Sequence, residues 1–410
     1  MNRLFALTLL LAAPILSNSF PDTRAEKLVR RAIEKDAKTT YTCIREWTPW
    51  GSDDTVRVRR DQSSSGANKV LVLAPIQKQG FTIIDDGQQR VSYNPDRSEL
   101  TIQDSPIKMA ARSDSDRRHR LLIRNYTINE EAKETVAGRK AARIKLTPKA
   151  SKSLFSRRYW IDEGKSVLLR VEWTSPGGAK QVLSNTLSIQ FPKSLSQDVF
   201  EKRFVGRPKE ISIRAPAKQK NLLALAKAVG FTPINPLGMP YGFLFIGADA
   251  ISGASRTMAA LRYTDGAANM TVYQVRARSG RPPWRGQEDL VNARVADVWI
   301  AIDGDVPAEG MRSVVSAFQK SDPERETAWT SSAASVFDVE KALIGELRSG
   351  GLSFDQVASC LAASKGKASV ARKASLMVLD GKTTANLAAE FNVKLRDIER
   401  DVKRFSDRRG

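Results

Sequence analysis

The side chains best suited to chemistry are few in this chain, and their spacing removes most reaction classes. A single histidine, His119, sits within Arg117-Arg118-His119-Arg120, where neighbouring cations disfavour its protonated form. The two cysteines, Cys43 and Cys360, lie far apart in sequence. They make no disulfide framework, and two buried thiols are expected rather than a bridge. One histidine and two remote cysteines cannot build a His-rich metal site of the usual kind. No Gly-x-Ser-x-Gly elbow, Walker-type phosphate loop or His-Glu-x-x-His helix occurs. Nothing here argues for an enzyme or calls for a cofactor, so the residues left to carry function are those that bind.

Charge is the first binding signal. Lys and Arg number 66 against 45 Asp and Glu, a net charge of +21. Residues 104–124 carry Lys108, Arg112, Arg117, Arg118, Arg120 and Arg124 against Asp114 and Asp116. The segment reads as an insertion helix, a plain solvated loop or, preferentially, a mobile flap over the open side of a sheet. Arg112, Arg117, Arg118, Arg120 and Arg124 are then anion-binding candidates. Exposed charges add little to folding, so replacing Arg117, Arg118 and Arg120 should leave thermal stability almost unchanged.

The N-terminus suggests which anions such a protein meets. Arg3, the apolar run Leu4–Leu16 and Ser17-Asn18-Ser19 have the form of a cleaved secretory signal over residues 1–19, with the mature chain beginning near Phe20. The run is shorter than the ~20 residues that cross a bilayer. Outside the cytoplasm the natural anionic partners are lipid head groups, lipopolysaccharide, wall polymers or an acidic protein, rather than nucleic acid.

The elements that must position these residues follow from periodicity. Asp22–Thr39 predicts an amphipathic helix with Leu28, Val29, Ala32 and Ile33 on one face. Alternating segments from Thr39 to Phe191, punctuated by turns such as Asp85-Asp86-Gly87 and Asp162-Glu163-Gly164, predict nine or ten antiparallel strands. After a polar boundary over Lys193–Pro216, a short helix ends at Gly230. Strands are then predicted over Phe243–Ala248, Arg256–Thr264, Asn269–Arg276 and Arg294–Asp303, with a closing helix over Pro307–Lys320. Ser321–Ser335 reads as a linker by composition, and the remainder to residue 410 as helices.

The pair Val136–Pro148 and Arg158-Tyr159-Trp160-Ile161-Asp162 resembles a strand pair of the periplasmic MucB/RseB family. So do Leu168–Glu172 with the run to Phe200, and Met239-Pro240-Tyr241-Gly242-Phe243 with Leu261–Tyr273, including Thr264-Asp265-Gly266-Ala267. The family's large domain is similar to the lipoprotein carriers LolA and LolB. The resemblance spans residues 25–320, leaving 336–410 as extra.

It implies an α+β chain with a curved antiparallel half-barrel sheet wrapped on helices (20–205) and a smaller α+β domain (216–320), to which the helical pattern of the remainder adds a C-terminal helical bundle (336–410). It further implies a non-enzymatic extracytoplasmic sensor that binds the extracytoplasmic segment of an anti-sigma factor and a lipid, lipoprotein or lipopolysaccharide-like ligand. The concave face of an open sheet must be filled by side chains or by a ligand's chains. The candidate groove residues are Trp47, Trp50, Phe81, Tyr93, Trp160 and Trp173.

A LolA-like carrier of lipid or lipoprotein is the alternative. A DNA-binding protein is a third reading. Leu387, Ala388, Phe391, Val393, Ile398 and Val402 have helix-turn-helix spacing, with Asn392 at the turn. The secretory signal argues against DNA, and a small helical bundle has the same spacing.

Overall fold

In a computed structural model, the structure describes residues 23–105, 113–149, 154–204, 206–212, 217–219, 221–236, 238–252, 257–277, 291–321 and 323–407. The expected signal segment and Arg112 lie outside these residues.

Helix α1 (Arg24–Lys35) starts at a capping box. The Thr23 hydroxyl accepts from the Glu26 N–H, and the Glu26 carboxylate accepts from the Thr23 N–H. Its buried face, Ala25, Leu28, Val29 and Ala32, is the apolar stripe legible in the sequence. Eleven strands follow: β1 (Tyr41–Trp47), β2 (Val56–Gln62), β3 (Asn68–Ala74), β4 (Thr82–Asp85), β5 (Gln89–Asn94), β6 (Glu99–Asp104), β7 (Tyr126–Val136), β8 (Arg139–Pro148), β9 (Ser156–Asp162), β10 (Leu168–Thr174) and β11 (Lys180–Gln190).

With β12 (Lys209–Ser212) they form one open sheet in the order β12-β6-β5-β4-β3-β2-β1-β11-β10-β9-β8-β7. Every pairing is antiparallel except β12 on β6, which is parallel. The large unit therefore reaches past residue 205, because the chain returns to cover the β6 edge.

Helix α2 (Ser113–Asn125) occupies the segment read as a flap. The preference for a flap is corrected to the insertion helix: Leu121 and Leu122 are fully buried. Leu122 joins Leu28, Val29, Tyr126, Ile128, Ile144, Leu146 and Ile161 in a core between the two helices and β7–β9.

The smaller unit begins with β13 (Ala217–Gln219) and α3 (Leu222–Val229). Asn221 caps α3 through Ala224 N–H, and Gly230 ends it at φ 76°. Strands β14 (Leu244–Ser252), β15 (Thr257–Thr264), β16 (Asn269–Arg276), β17 (Val291–Val295) and β18 (Val298–Gly304) form a sheet ordered β13-β14-β15-β16-β18-β17. The single strand expected over Arg294–Asp303 is instead a hairpin, β17 turning into β18 with Ala296 at φ 51°. Alanine gives no turn signal, which is why the sequence reads through it. Helix α4 (Ala308–Gln319) packs Val314 and Phe318 against Leu225, Leu261, Val272 and Ile300.

Helices α5 (Pro323–Phe337), α6 (Lys341–Ser349), α7 (Phe354–Ser364), α8 (Ala368–Leu379), α9 (Thr384–Glu390) and α10 (Leu395–Asp407) complete the chain. The expected linker is thus mostly a helix. Its Ser, Thr and Ala residues carry little hydrophobic pattern, but Trp329 is buried against Phe354 and edge-on to Phe405 at 4.6 Å. Asn392 takes a left-handed conformation (φ 51°) between α9 and α10, as its position in the sequence suggests. Both cysteines are free and buried, as expected, and burial pushes the Cys360 thiol up to about 12.

Replacing Trp329 with Ala should cost about 3 kcal/mol, the usual loss for a core aromatic. Urea unfolding measures it; a linker tryptophan would lose nothing detectable.

Candidate binding groove and the joint behind it

The loop after β1 is held over the large sheet by one side chain. Gln181 accepts from Gly51 N–H at 2.8 Å and donates to the Pro49 and Ser52 carbonyls at 3.0 and 2.7 Å. This fixes the Trp50 ring 4.6 Å from Phe155 and 6.5 Å from Trp173, with Phe155 and Trp173 at 4.8 Å. Trp50 and Trp173 are half-buried, while Phe155 is buried. Trp47, at the end of β1, is 52% exposed.

The remaining candidates are elsewhere. β9 runs in unbroken register with β8 from Arg157 to Asp162, so Trp160 and Arg157 point to opposite faces. Arg157 stands over the Trp173 ring at 4.5 Å, which leaves Trp160 on the far side of the sheet. There its indole N–H donates to Glu134 at 2.6 Å and Arg170 lies over the ring. Tyr93 stacks on Phe204 at 4.9 Å in a separate cluster with Val91 and Leu100. Phe81 is half-buried at the start of β4. Trp50 and Trp173 are thus brought together by Phe155, a residue with no sequence signal because it lies in the irregular stretch before β9.

Three arginines of the basic helix α2 donate to backbone carbonyls of the other units. Arg118 Nε donates to the Gly266 carbonyl at 3.0 Å and Arg120 Nε to the Asp380 carbonyl at 2.9 Å. Arg120 also pairs with the Asp380 carboxylate. An Arg124 guanidinium N–H donates to the Gly242 carbonyl at 3.1 Å, and burial lowers this residue's pKa. Arg117 is half-buried.

These carbonyls belong to a joint between the units. The Asp265-Gly266 turn of the β15–β16 hairpin is inserted against α2. The buried Asp265 carboxylate accepts from Ala267 N–H (2.9 Å), Ala268 N–H (2.6 Å) and the Tyr126 hydroxyl (2.6 Å). Burial first, and then the Asp265 charge, push the Tyr126 pKa upward. Asn125 Nδ2 donates to the Asp265 carbonyl at 2.8 Å. Arg157, fully buried, donates to the Ala267 carbonyl and, at 3.0 Å, to that of Asp305. Desolvation opposes its charge, but Tyr159, Tyr126, Asp265 and Asp305 outweigh that and raise its pKa.

Gly266 (φ +100°) lies so close to α2 that a Cβ would stand 2.4 Å from Leu122 N and 2.8 Å from the Arg118 carbonyl oxygen. On the other side, Arg348 donates to the Asn235 carbonyl at 2.7 Å and to those of Pro236 and Leu352. It also pairs with Glu326 at 3.1 Å, tying the C-terminal helices to the small unit.

An open twelve-stranded sheet backed by helices and jointed to a smaller six-stranded α+β unit defines the fold class. Residues 72–202 match the family model of the MucB/RseB N-terminal domain. The fold is similar to that of MucB in the Pseudomonas aeruginosa MucA/MucB complex (14% identity, TM-score 0.51, covering 71% of this chain and 97% of that one). A crystal structure of MucB aligns at 16% identity and TM-score 0.48 over 72% of this chain and 98% of that chain. A LolA superfamily protein from Nitrosomonas europaea aligns at 13% identity and TM-score 0.22 over 44% of this chain and 99% of that chain. No curated protein sequence is a significant match.

Two substitutions test the joint. Gly266→Ala should lose at least ~2 kcal/mol, since the overlap is with backbone and cannot be relieved by a rotamer. Gly87→Ala, also at positive φ (+85°) but with nothing within 4 Å, serves as the control for conformational strain alone; equal losses in thermal unfolding would contradict the close approach. Replacing Arg117, Arg118 and Arg120 together with Ser should lower the melting temperature by several degrees, contrary to the expectation for solvated charges, because two of them hold carbonyls across unit boundaries.

Proposed function

We propose that this chain is an exported regulatory protein that acts by binding. It would engage the extracytoplasmic segment of an anti-sigma factor and take a lipid-like ligand against the aromatic face of its large sheet. The observation that carries the reading is the MucB/RseB match over residues 72–202, together with a fold like that of MucB, whose solved structures include complexes with MucA. A net charge of +21 suits a protein that works among anionic lipids and lipopolysaccharide.

The aromatic cluster gives the lipid part of the reading a location. Trp50, Phe155 and Trp173 form a half-open wall against which an acyl chain would be removed from water. Arg157 touches that wall through the Trp173 ring and touches the small unit through the Ala267 and Asp305 carbonyls. A chain that shifts the Trp173 ring would therefore disturb the joint directly. In this way ligand binding at the sheet would alter how the two units sit against each other.

The chain from residue 20 should form a stable complex with the extracytoplasmic segment of a single-span anti-sigma factor from the same organism. Size-exclusion chromatography with light scattering and calorimetry measure this. Failure with every such segment, alongside acceptance of a lipoprotein, would favour the carrier reading instead. Trp173→Ala should weaken binding of a lysophospholipid about tenfold, or about 1.4 kcal/mol, as read by quenching of the remaining tryptophans.

A further inference from the structure

A cavity of about 180 Å³ lies where the large-sheet unit, the small unit and the C-terminal helices meet. This is far more than the ~15 Å³ that one water needs. Its lining includes the apolar side chains of Met239, Phe243 and Phe245. It also includes three donors on three separate elements: Arg124 on α2, Tyr263 on β15 and Gln356 on α7.

Tyr263 is the most telling of these. Its ring stands edge-on to Phe245 at 5.8 Å and it is only 1% exposed, yet its hydroxyl has no hydrogen-bond partner among the described residues. A buried hydroxyl left unpaired is costly, and native structures rarely retain one. Burial keeps the phenol protonated and hence a donor. Arg124 is bonded to the Asn125 side-chain oxygen and the Gly242 carbonyl, both neutral groups. Gln356 uses its side-chain oxygen to accept from Ser353 N–H, which leaves its amide NH2 as a donor. Asp355 also borders the cavity, so it is not a general trap for multiply charged anions.

We propose that this cavity is a binding site for a small organic carboxylate with an apolar tail. The carboxylate is received by the Tyr263 hydroxyl, Arg124 and Gln356, and the tail lies against Met239, Phe243 and Phe245. A guanidinium and a phenol together suit a planar carboxylate. Because the walls come from all three units, occupancy binds them together and stabilises their assembly by mass action.

The test uses the full mature chain with hexanoate as probe and inorganic phosphate as the comparison. Saturable hexanoate binding by calorimetry, with a rise in melting temperature, is expected for the wild type. Tyr263→Phe should weaken hexanoate binding at least tenfold while leaving the ligand-free melting temperature unchanged or higher, because no protein partner is lost. Arg124→Lys, which keeps the charge but not the fork, should weaken it at least tenfold as well.

No melting shift with hexanoate would overturn the proposal and assign the hydroxyl to buried water. Equal binding of phosphate would overturn the carboxylate assignment. A drop in the ligand-free stability of Tyr263→Phe would show that the hydroxyl already has a partner, which also overturns it.

Discussion

The close backbone approach of the Asp265-Gly266 turn to helix α2 is the constraint on which the arrangement of the units depends. Apolar contact alone would leave two units free to slide, since it is non-directional. Here Asn125, Arg118, Arg157 and the Tyr126 hydroxyl each meet a specific acceptor on the turn, and hydrogen bonds have strict geometry. The contact is possible only because residue 266 has no side chain and can hold φ +100°. Asp265 is buried as a carboxylate, yet three donors meet it, so the cost of removing its charge from water is largely offset.

Two consequences follow for function. Arg157 links the aromatic wall and the joint in a single side chain, so the candidate ligand surface and the inter-unit geometry are mechanically one feature. The basic helix that composition suggests as a flap over the sheet is instead a hub, with Arg118, Arg120 and Arg124 directed at carbonyls of both other units.

The C-terminal helices belong to the same body. Arg348 and Asn235 exchange hydrogen bonds across their boundary with the small unit, and Arg120 reaches Asp380 from α2. The helix-turn-helix spacing around Asn392 is met by the packing of Leu387, Ala388 and Ile398 in a bundle core shared with Trp329 and Phe405. That packing gives the spacing a structural cause, and no observation adds a nucleic acid to it.

Local patterns in the sequence were sufficient for the α+β class, helix α1 with its buried stripe, the capped helix ending at Gly230, most strands and the left-handed Asn392. Each depends on spacing or on a single residue's conformational preference. Position relative to distant chain was not legible. The turn at Ala296 carries no turn residue, and the helix over Pro323–Phe337 has a composition that reads as linker until Trp329 is packed. Of six groove aromatics, the fold gathers Trp50 and Trp173, sends Trp160 to the opposite face and buries Tyr93 under Phe204. The alternation of a strand tells which residues share a face, but not which face receives the helices. Likewise the Thr264-Asp265-Gly266-Ala267 motif was visible from the start, while its role as a joint required α2, brought by the fold from about 150 residues away in the chain, to supply the backbone that only glycine can approach.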